Sequence, residues 1–459
     1  MDLRAARRFS VGAHTERWRR SGSDLRPTDH EPFEGLTPRA DVASLRDQVT
    51  GRHEHADPSA LHHGEDPDAW TLAAWKPIGV PYEKPIGFLF GVENMTTHAT
   101  STIFVIGGTG AQGIPIVRAL VADKKYSAKV LTRDAASPRA QDLLALGNVS
   151  ILEGSFADED VLREGFRGCD GAFINIDGFN TGEKTETYWA IRTYEIAIEE
   201  GVKFFVYGNL DYALKKAGYD SRFRTGHYDG KGRMAEWVLF QNEKNRDRMG
   251  AAVFTSGPYI EMVISPLTPM TPTVEDGVVT WRVPLGEGAV PHVALEDCGF
   301  YVRWLFDHPE RANGMDLEVA IEHMTYADMA AAFEKVTGRP ARYIDTDLDA
   351  YWNSPDLTGI ADHPAGYNAD PNDKSTMSFR DNFTGFWNVW KHGIITRDYA
   401  LLDEIHPNRI RSAEQWFRRE DQLGRELGKG SLWERVQPEN WSMDSAILKS
   451  SADLRTGKL

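Results

Sequence analysis

Seven consecutive residues carry the clearest chemistry in the chain: Gly107, Gly108, Thr109, Gly110, Ala111, Gln112 and Gly113. They follow a β-branched apolar run, Thr102 to Ile106, and precede Ile114 to Val121, whose apolar residues fall at helical spacing. The run satisfies GxGxxG counted from Gly108 and GxxGxxG counted from Gly107. In a strand–loop–helix context one glycine makes the tight turn and another lets the backbone approach a pyrophosphate. Gly113 lets the helix close on the strand, and the helix N-terminus offers free N–H groups and a partial positive charge to the anion. A dinucleotide site is therefore expected here. The next apolar run, Lys129 to Leu131, ends at Thr132-Arg133-Asp134. A site for NAD places an acid near this point to hold the ribose 2′-hydroxyl, whereas a guanidinium matches the 2′-phosphate of NADP(H). Arg133 favours NADP(H), with Arg139 able to add charge. The alternative is a solvated Arg133 with Asp134 as the ribose acceptor.

The elements that must position these residues read as a regular alternation. After the glycine loop and the 129–131 strand come a helix over 141–146, a strand over 149–152 and a helix over 158–166. Then follow a strand over 172–176, a helix over 183–200, a strand over 203–207, a helix over 229–242 and a strand over 251–255. Strands alternating with helices of this length imply an α/β fold, a doubly wound parallel sheet of six strands in the Rossmann form. Beyond Ser256 the pattern loosens into an edge strand over 279–284, helices over 295–306 and 326–336 and a strand over 317–320. These are expected to build a smaller C-terminal α/β lobe. The resulting division is an extension over 1–100, a Rossmann domain over 101–256, a substrate or lid lobe over 257–425 and a polar tail over 426–459. The first hundred residues are rich in Arg, Asp, His, Gly and Pro, a composition that does not bury enough surface to fold, and are expected to be mostly disordered. Met95 stands just before the first strand, which suggests that residues 1–94 are an upstream extension of the gene model and not part of the native protein.

Taken together, FVIGGTGAQG, VLTRD, the strand ending VYGN, and HYDGKGRMAEWV resemble the NmrA-like branch of the short-chain dehydrogenase/reductase superfamily. AVPHVALEDCGFYV and IHPNRIRSAEQWF are similar to its C-terminal portion, so the resemblance covers residues 101 to about 420. That family includes a fungal nitrogen-repression regulator, an animal NADPH sensor and oxidoreductases of fungal specialised metabolism. By resemblance, Gly107 to Gln112 would hold the pyrophosphate, and Arg133, Asp134, Ala135, Ala136 and Ser137 the 2′-phosphate and its ribose. Ser155 and Phe156 would lie at the adenine, although the family commonly has Asp at Ser155. Ile176, Asp177 and Lys231 would meet the nicotinamide ribose, and Tyr259, Ile260, Glu261 and Met262 would close over the nicotinamide. The family's lysine on the fourth helix falls near Tyr188, so that contact is replaced.

Catalytic short-chain dehydrogenases pair a lysine with a tyrosine four residues earlier, plus a serine. The lysine lowers the phenol's pKa and the phenol passes the proton. Lys231 is present here, but His227 stands four residues before it. Tyr228 is one residue off, which on a helix turns it about 100° away. Gly208-Asn209 replaces the serine. Two functions follow: a reductase of a small, largely apolar carbonyl, enone or imine, with Lys231 as its acid/base and His227, Tyr228 or Asn209 orienting the substrate, or an NADP(H) redox sensor acting on a protein partner. In the second, His227 and Lys231 bind cofactor or are structural. The aromatics of the tail (Tyr351, Trp352, Phe383, Phe386, Trp387, Trp390) would roof an apolar pocket and favour the enzyme.

A formal net charge of −16 repels phosphate backbones and argues against a nucleic-acid partner. No apolar run approaches membrane-span length, and the Arg-rich start lacks the apolar region of a secretory signal. Two unclustered cysteines, Cys169 and Cys298, frame neither disulfides nor zinc and suit buried thiols in a reducing, cytoplasmic or nuclear, compartment. The histidines His53, His55, His62 and His63 match no ligand spacing, so no metal is expected. Asp297 reads as a helix cap.

Overall fold

The computed structural model describes residues 100–355, 357–366, 374–442 and 446–447. The expected extension over residues 1–99 and its four histidines lie outside the described residues. A seven-stranded parallel sheet forms the centre. Its strands are β1 (Ser101–Ile106), β2 (Tyr126–Thr132), β3 (Val149–Glu153), β4 (Gly171–Ile174), β5 (Phe204–Leu210) and β6 (Gly250–Ser256). The seventh is β10 (Asp316–Glu318), contributed from far along the chain. The order β10-β6-β5-β4-β1-β2-β3 reverses direction between β1 and β4. That reversal opens a crevice beyond the carboxyl ends of the strands, the usual ligand position of such sheets.

The side-chain alternation of the strands explains the two layers. Phe104, Ala172, Phe205 and Tyr207 face one side, where Ala190, Tyr194, Ala197 and Val238 of the Glu183–Glu199 and Gly226–Asn245 helices cover them. Ile103, Val105, Phe173 and Val206 face the other, packed with Ile116, Val117 and Leu120 of the Gly113–Val121 helix and Tyr301, Val302 and Leu305 of the Leu295–Asp307 helix. The expected six-stranded sheet therefore gains a strand, and the run expected over 317–320 in the smaller lobe pairs instead with β6. Leu317 and Val319 belong to the sheet's own core, which is why the chain returns there.

The smaller lobe holds a second core. Between them the chain adds β7 (Thr273–Glu275), β8 (Val278–Val283), β9 (Ala289–Pro291), β11 (His323–Thr325) and β12 (Ala341–Asp345). The segment expected as an edge strand over 279–284 is the middle strand of a three-stranded sheet, β12-β8-β7. Val279 and Trp281 are both fully buried, which suits a central strand better than an edge. The Phe379–Lys391 helix carries Phe383, Phe386, Trp387 and Trp390 into the same core, so the tail aromatics are mostly packing. The expected polar tail also departs from its composition. Leu432 and Val436, around a helix over Leu432–Arg435 opened by a Ser431–Glu434 capping box, are buried in this lobe.

Candidate functional site

The glycine loop leaves β1 at the reversal point. Gly107 has φ +83, and a Cβ there would lie 2.5 Å from the Asn175 carbonyl oxygen. A Cβ on Gly113 would lie 2.1 Å from the Gly107 carbonyl oxygen, so only glycine lets the helix start this close to the strand. A Cβ on Gly110 would meet only the Gly107 oxygen, at 3.1 Å, which leaves its outer side open. The helix that follows has no side-chain cap and no acid in its first turn. Its first N–H groups therefore have no anionic side chain to serve them, which suits an external anion. This is the fit expected of a pyrophosphate cradle.

Past β2, Arg133 is half-buried, and the Arg139 guanidinium crosses to the loop, donating to the Thr109 carbonyl at 3.4 Å. Two groups assigned to the 2′-phosphate and ribose are otherwise engaged. The Ala135 N–H donates to the Glu153 carboxylate at 2.9 Å, and Asp134 accepts from the Ala136 N–H at 3.0 Å. Ser137 closes the same turn, its hydroxyl donating to the Asp134 carbonyl. Ser155 accepts from the Ala157 N–H, and Phe156 packs against the sheet core.

Beneath the loop runs a continuous polar chain whose orientation Lys231 dictates, because an ammonium only donates. Its Nζ donates to Asn175 Oδ1 (3.0 Å), the Ile176 carbonyl (2.8 Å) and the Gly208 carbonyl (3.3 Å), and pairs with Glu186 Oε1 at 2.8 Å. Asn175 Nδ2 must then face Gln112 Oε1 (2.8 Å), and Gln112 Nε2 faces the Ser256 hydroxyl (3.1 Å). The chain thus ties β4, β6, the glycine loop and the Gly226–Asn245 helix together. Glu186 is fully buried, and burial pushes its carboxyl up from the ordinary range while the Lys231 charge pulls it back. Asp177 caps the turn that follows β4, accepting from the Phe179 N–H.

His227 lies one helical turn before Lys231 and is buried among Phe179, Phe383, Phe386 and Tyr228, with ring centroids 4.4 to 6.0 Å away. Desolvation lowers its imidazole to about 4, with the Lys231 charge adding to that and Asn382 opposing it. Tyr228 is buried beside that ring in the second core, against Phe386 and Trp390. Asn209 is buried and donates to the Thr255 hydroxyl. Tyr188 stands exposed on the outer face of its helix.

Tyr259, Ile260, Glu261 and Met262 form the turn after β6, held by the Ile260 N–H on the Val293 carbonyl. Burial pushes Glu261 up to about 8, and Glu420 and Glu296 add to the effect. One of its oxygens accepts from the Leu295 N–H at the head of the Leu295–Asp307 helix, and the other has no hydrogen-bond partner among the described residues. Cys298 and Cys169 are free, buried thiols. Asp297 does not cap its helix by a side-chain hydrogen bond; it is buried 3.7 Å from the His406 ring and pushed up to about 7. Among the described residues, no helix is long and apolar enough to cross a membrane.

The spacing of the sequence located the glycines, Lys231 and His227. Asn175, Glu186, Ser256 and Asn382 were missed. Each is an isolated polar residue whose role comes from the partner that the fold sets against it.

A parallel sheet in this strand order, with a glycine loop at its reversal point, defines a Rossmann-type α/β protein. The chain belongs to the NmrA-like family, whose model matches residues 99–360. It is 27% identical over 263 residues to the NmrA-like family domain-containing oxidoreductase himF of Aspergillus japonicus, covering 53% of this chain and 75% of that one. It is 27% identical over 287 residues to the corresponding oxidoreductase FrzB of Cladobotryum sp, covering 57% and 80%. Among solved structures it is similar to NmrA, a negative transcriptional regulator, in complex with NAD. That match has a TM-score of 0.55 at 17% identity and covers 72% of this chain and 99% of NmrA. It is also similar to an NADPH-dependent quinone oxidoreductase of Escherichia coli complexed with NADPH, with a TM-score of 0.51 at 17% identity, covering 68% and 98%.

Proposed function

We propose that this chain is an NADP(H)-dependent oxidoreductase that reduces a small, largely apolar carbonyl, enone or imine. The observation that carries the cofactor assignment is the uncapped, acid-free helix start behind Gly107 to Gly113, flanked by Arg133 and Arg139. Backbone N–H groups there would hold the diphosphate, and the two guanidinium groups would meet the 2′-phosphate. The oxidoreductase names of the relatives support a redox role, and the NAD and NADPH bound by the similar structures support a nicotinamide dinucleotide, while the choice of NADP(H) rests on the two arginines. When bound, the cofactor supplies hydride. Lys231 would present its charge to the nicotinamide ribose from a fixed post, since three backbone and amide oxygens and Glu186 already orient it. The turn over Tyr259 to Met262 would exclude water from the reacting face.

A second reading, a redox sensor that acts on a protein partner, draws on the engaged state of Lys231 and the burial of Tyr228, which leave no phenol–lysine pair for proton transfer. NADPH oxidation against a panel of enones, imines and quinones separates the two. Turnover by the wild-type chain, lost in Lys231→Ala, is the expected result. Tight NADPH binding with no turnover on any panel member would overturn the reductase in favour of the sensor.

A further inference from the structure

Asn382 lies on the Phe379–Lys391 helix of the smaller lobe, 155 residues from His227, and its side chain is fully buried against the imidazole. Its Oδ1 is 3.3 Å from the His227 backbone nitrogen and 3.0 Å from His227 Nδ1. A backbone N–H only donates, so the atom facing it must be the amide oxygen and not the amide nitrogen. The same oxygen then faces Nδ1, which must carry the ring proton. Among the described residues the amide nitrogen of Asn382 has no hydrogen-bond partner, and it is buried. A residue that leaves a donor unsatisfied in order to place its oxygen is serving the histidine rather than its own packing.

We propose that Asn382 is a positioning residue that locks His227 as the Nδ1–H tautomer and leaves Nε2 a bare acceptor for a donor on the bound substrate. The proposal rests on the oxidoreductase reading only for its last clause. Nε2 has no hydrogen-bond partner among the described residues, and His227 is one of the residues that line a cavity of about 10 Å³, room for a single small group, with Gly178, Glu183, Thr376 and Asn382. The surrounding charges are Lys231, one turn further along the same helix, and Glu183 across that cavity. Phe179 and Phe383 pack against the imidazole at ring-centroid distances of 4.4 and 5.4 Å. The low proton affinity that burial imposes agrees with a neutral ring. The group that meets Nε2 is then a hydroxyl, amine or iminium N–H rather than an unprotonated carbonyl oxygen.

The test is the tautomer itself. In the full chain with 15N-labelled histidine, the resonances of His227 are assigned by their loss in His227→Gln. The expected pattern at neutral pH is a protonated Nδ1 and a lone-pair Nε2. Asn382→Asp, which keeps an oxygen acceptor, retains this pattern, and Asn382→Leu, which removes it, shifts the ring toward Nε2–H. Circular dichroism and thermal melting establish that both variants fold; if the leucine variant does not, the wild-type pattern and that of Asn382→Asp decide. With a substrate in hand, Asn382→Leu lowers kcat/KM at least about tenfold while Asn382→Asp retains most of it. A wild-type ring protonated at Nε2, or a folded leucine variant with an unchanged tautomer, overturns the proposal. Absence of turnover in the wild type counts against the reductase and leaves the tautomer measurement to decide this one.

Discussion

Lys231 is the residue on which most of the site converges, and its dependence on Glu186 is testable in isolation. Replacing Glu186 with Leu strands a buried ammonium and is expected to destabilise the fold by about 3 kcal/mol, measured by urea denaturation, whereas Glu186→Leu combined with Lys231→Met recovers much of the loss. Recovery no better than the single variant would show that the pair is not coupled. Glu261 gives a pH signature. Its folded carboxyl is held at about 8, against about 4.3 for a free Glu, so between these values the folded chain keeps a proton that the unfolded chain releases. The contribution of Glu261 to stability therefore falls as pH rises from about 5 to 8, against the opposite slope that the buried His227 and His292 impose below about 6.5. Asp297, held at about 7, adds to the Glu261 slope. Relative to wild type, Glu261→Gln should gain stability as pH rises through this interval, and a wild-type-minus-variant difference that does not change with pH would contradict the assignment. Residues of this kind were not legible in the sequence. Glu186 and Asn382 sit in no motif, and their burial follows from helices that meet only in the fold. The glycines were legible because their spacing along one strand–loop–helix unit fixes their geometry, and Lys231 because the HYDGKG motif around it resembles that of the NmrA-like family.

At the scale of elements, the glycine loop separates two functions of one residue type. A methyl group on Gly113 meets the Gly107 carbonyl at 2.1 Å, so Gly113→Ala should cost about 3 kcal/mol of stability, seen as a large drop in melting temperature. Gly110→Ala meets only that oxygen at 3.1 Å and is expected to stay within about 1 kcal/mol of wild type yet weaken NADPH at least about tenfold, because the added carbon occupies the anion's approach. Equal effects of the two variants on stability would mean that the loop is a structural turn. The sheet-forming runs before Ser256 could be read because alternating apolar strands and helices have distinct periods. β8 read as an edge because its run is short, and its central place is set by β7 and β12, which the sequence does not mark strongly. β10, at three residues, carries too little pattern to reveal that it pairs with β6. The helix around Leu432 was hidden by the polar residues that surround two buried ones.

The two cores of the described chain are joined through charge as well as apolar contact. Arg397, from the smaller lobe, and Asp211, just past β5, are both fully buried and meet in a bidentate pair at 2.8 and 2.7 Å. Arg397 also donates to the Ser256 and Val319 carbonyls, so one side chain spans the ends of β5 and β6 and the strand segment beyond them. Arg397→Ala is expected to cost about 3–5 kcal/mol and to loosen the smaller lobe first, seen as faster amide exchange around Phe379–Lys391 than in the sheet. Uniform exchange across both cores would argue against that role. For the molecule as a whole, the decisive property is recognition of a phosphorylated dinucleotide. Calorimetric titration of the full chain with NADPH and NADH should show NADPH bound at least about tenfold more tightly, a margin that Arg133→Ala removes. Equal affinity for the two in the wild-type chain, or binding of neither, would contradict it.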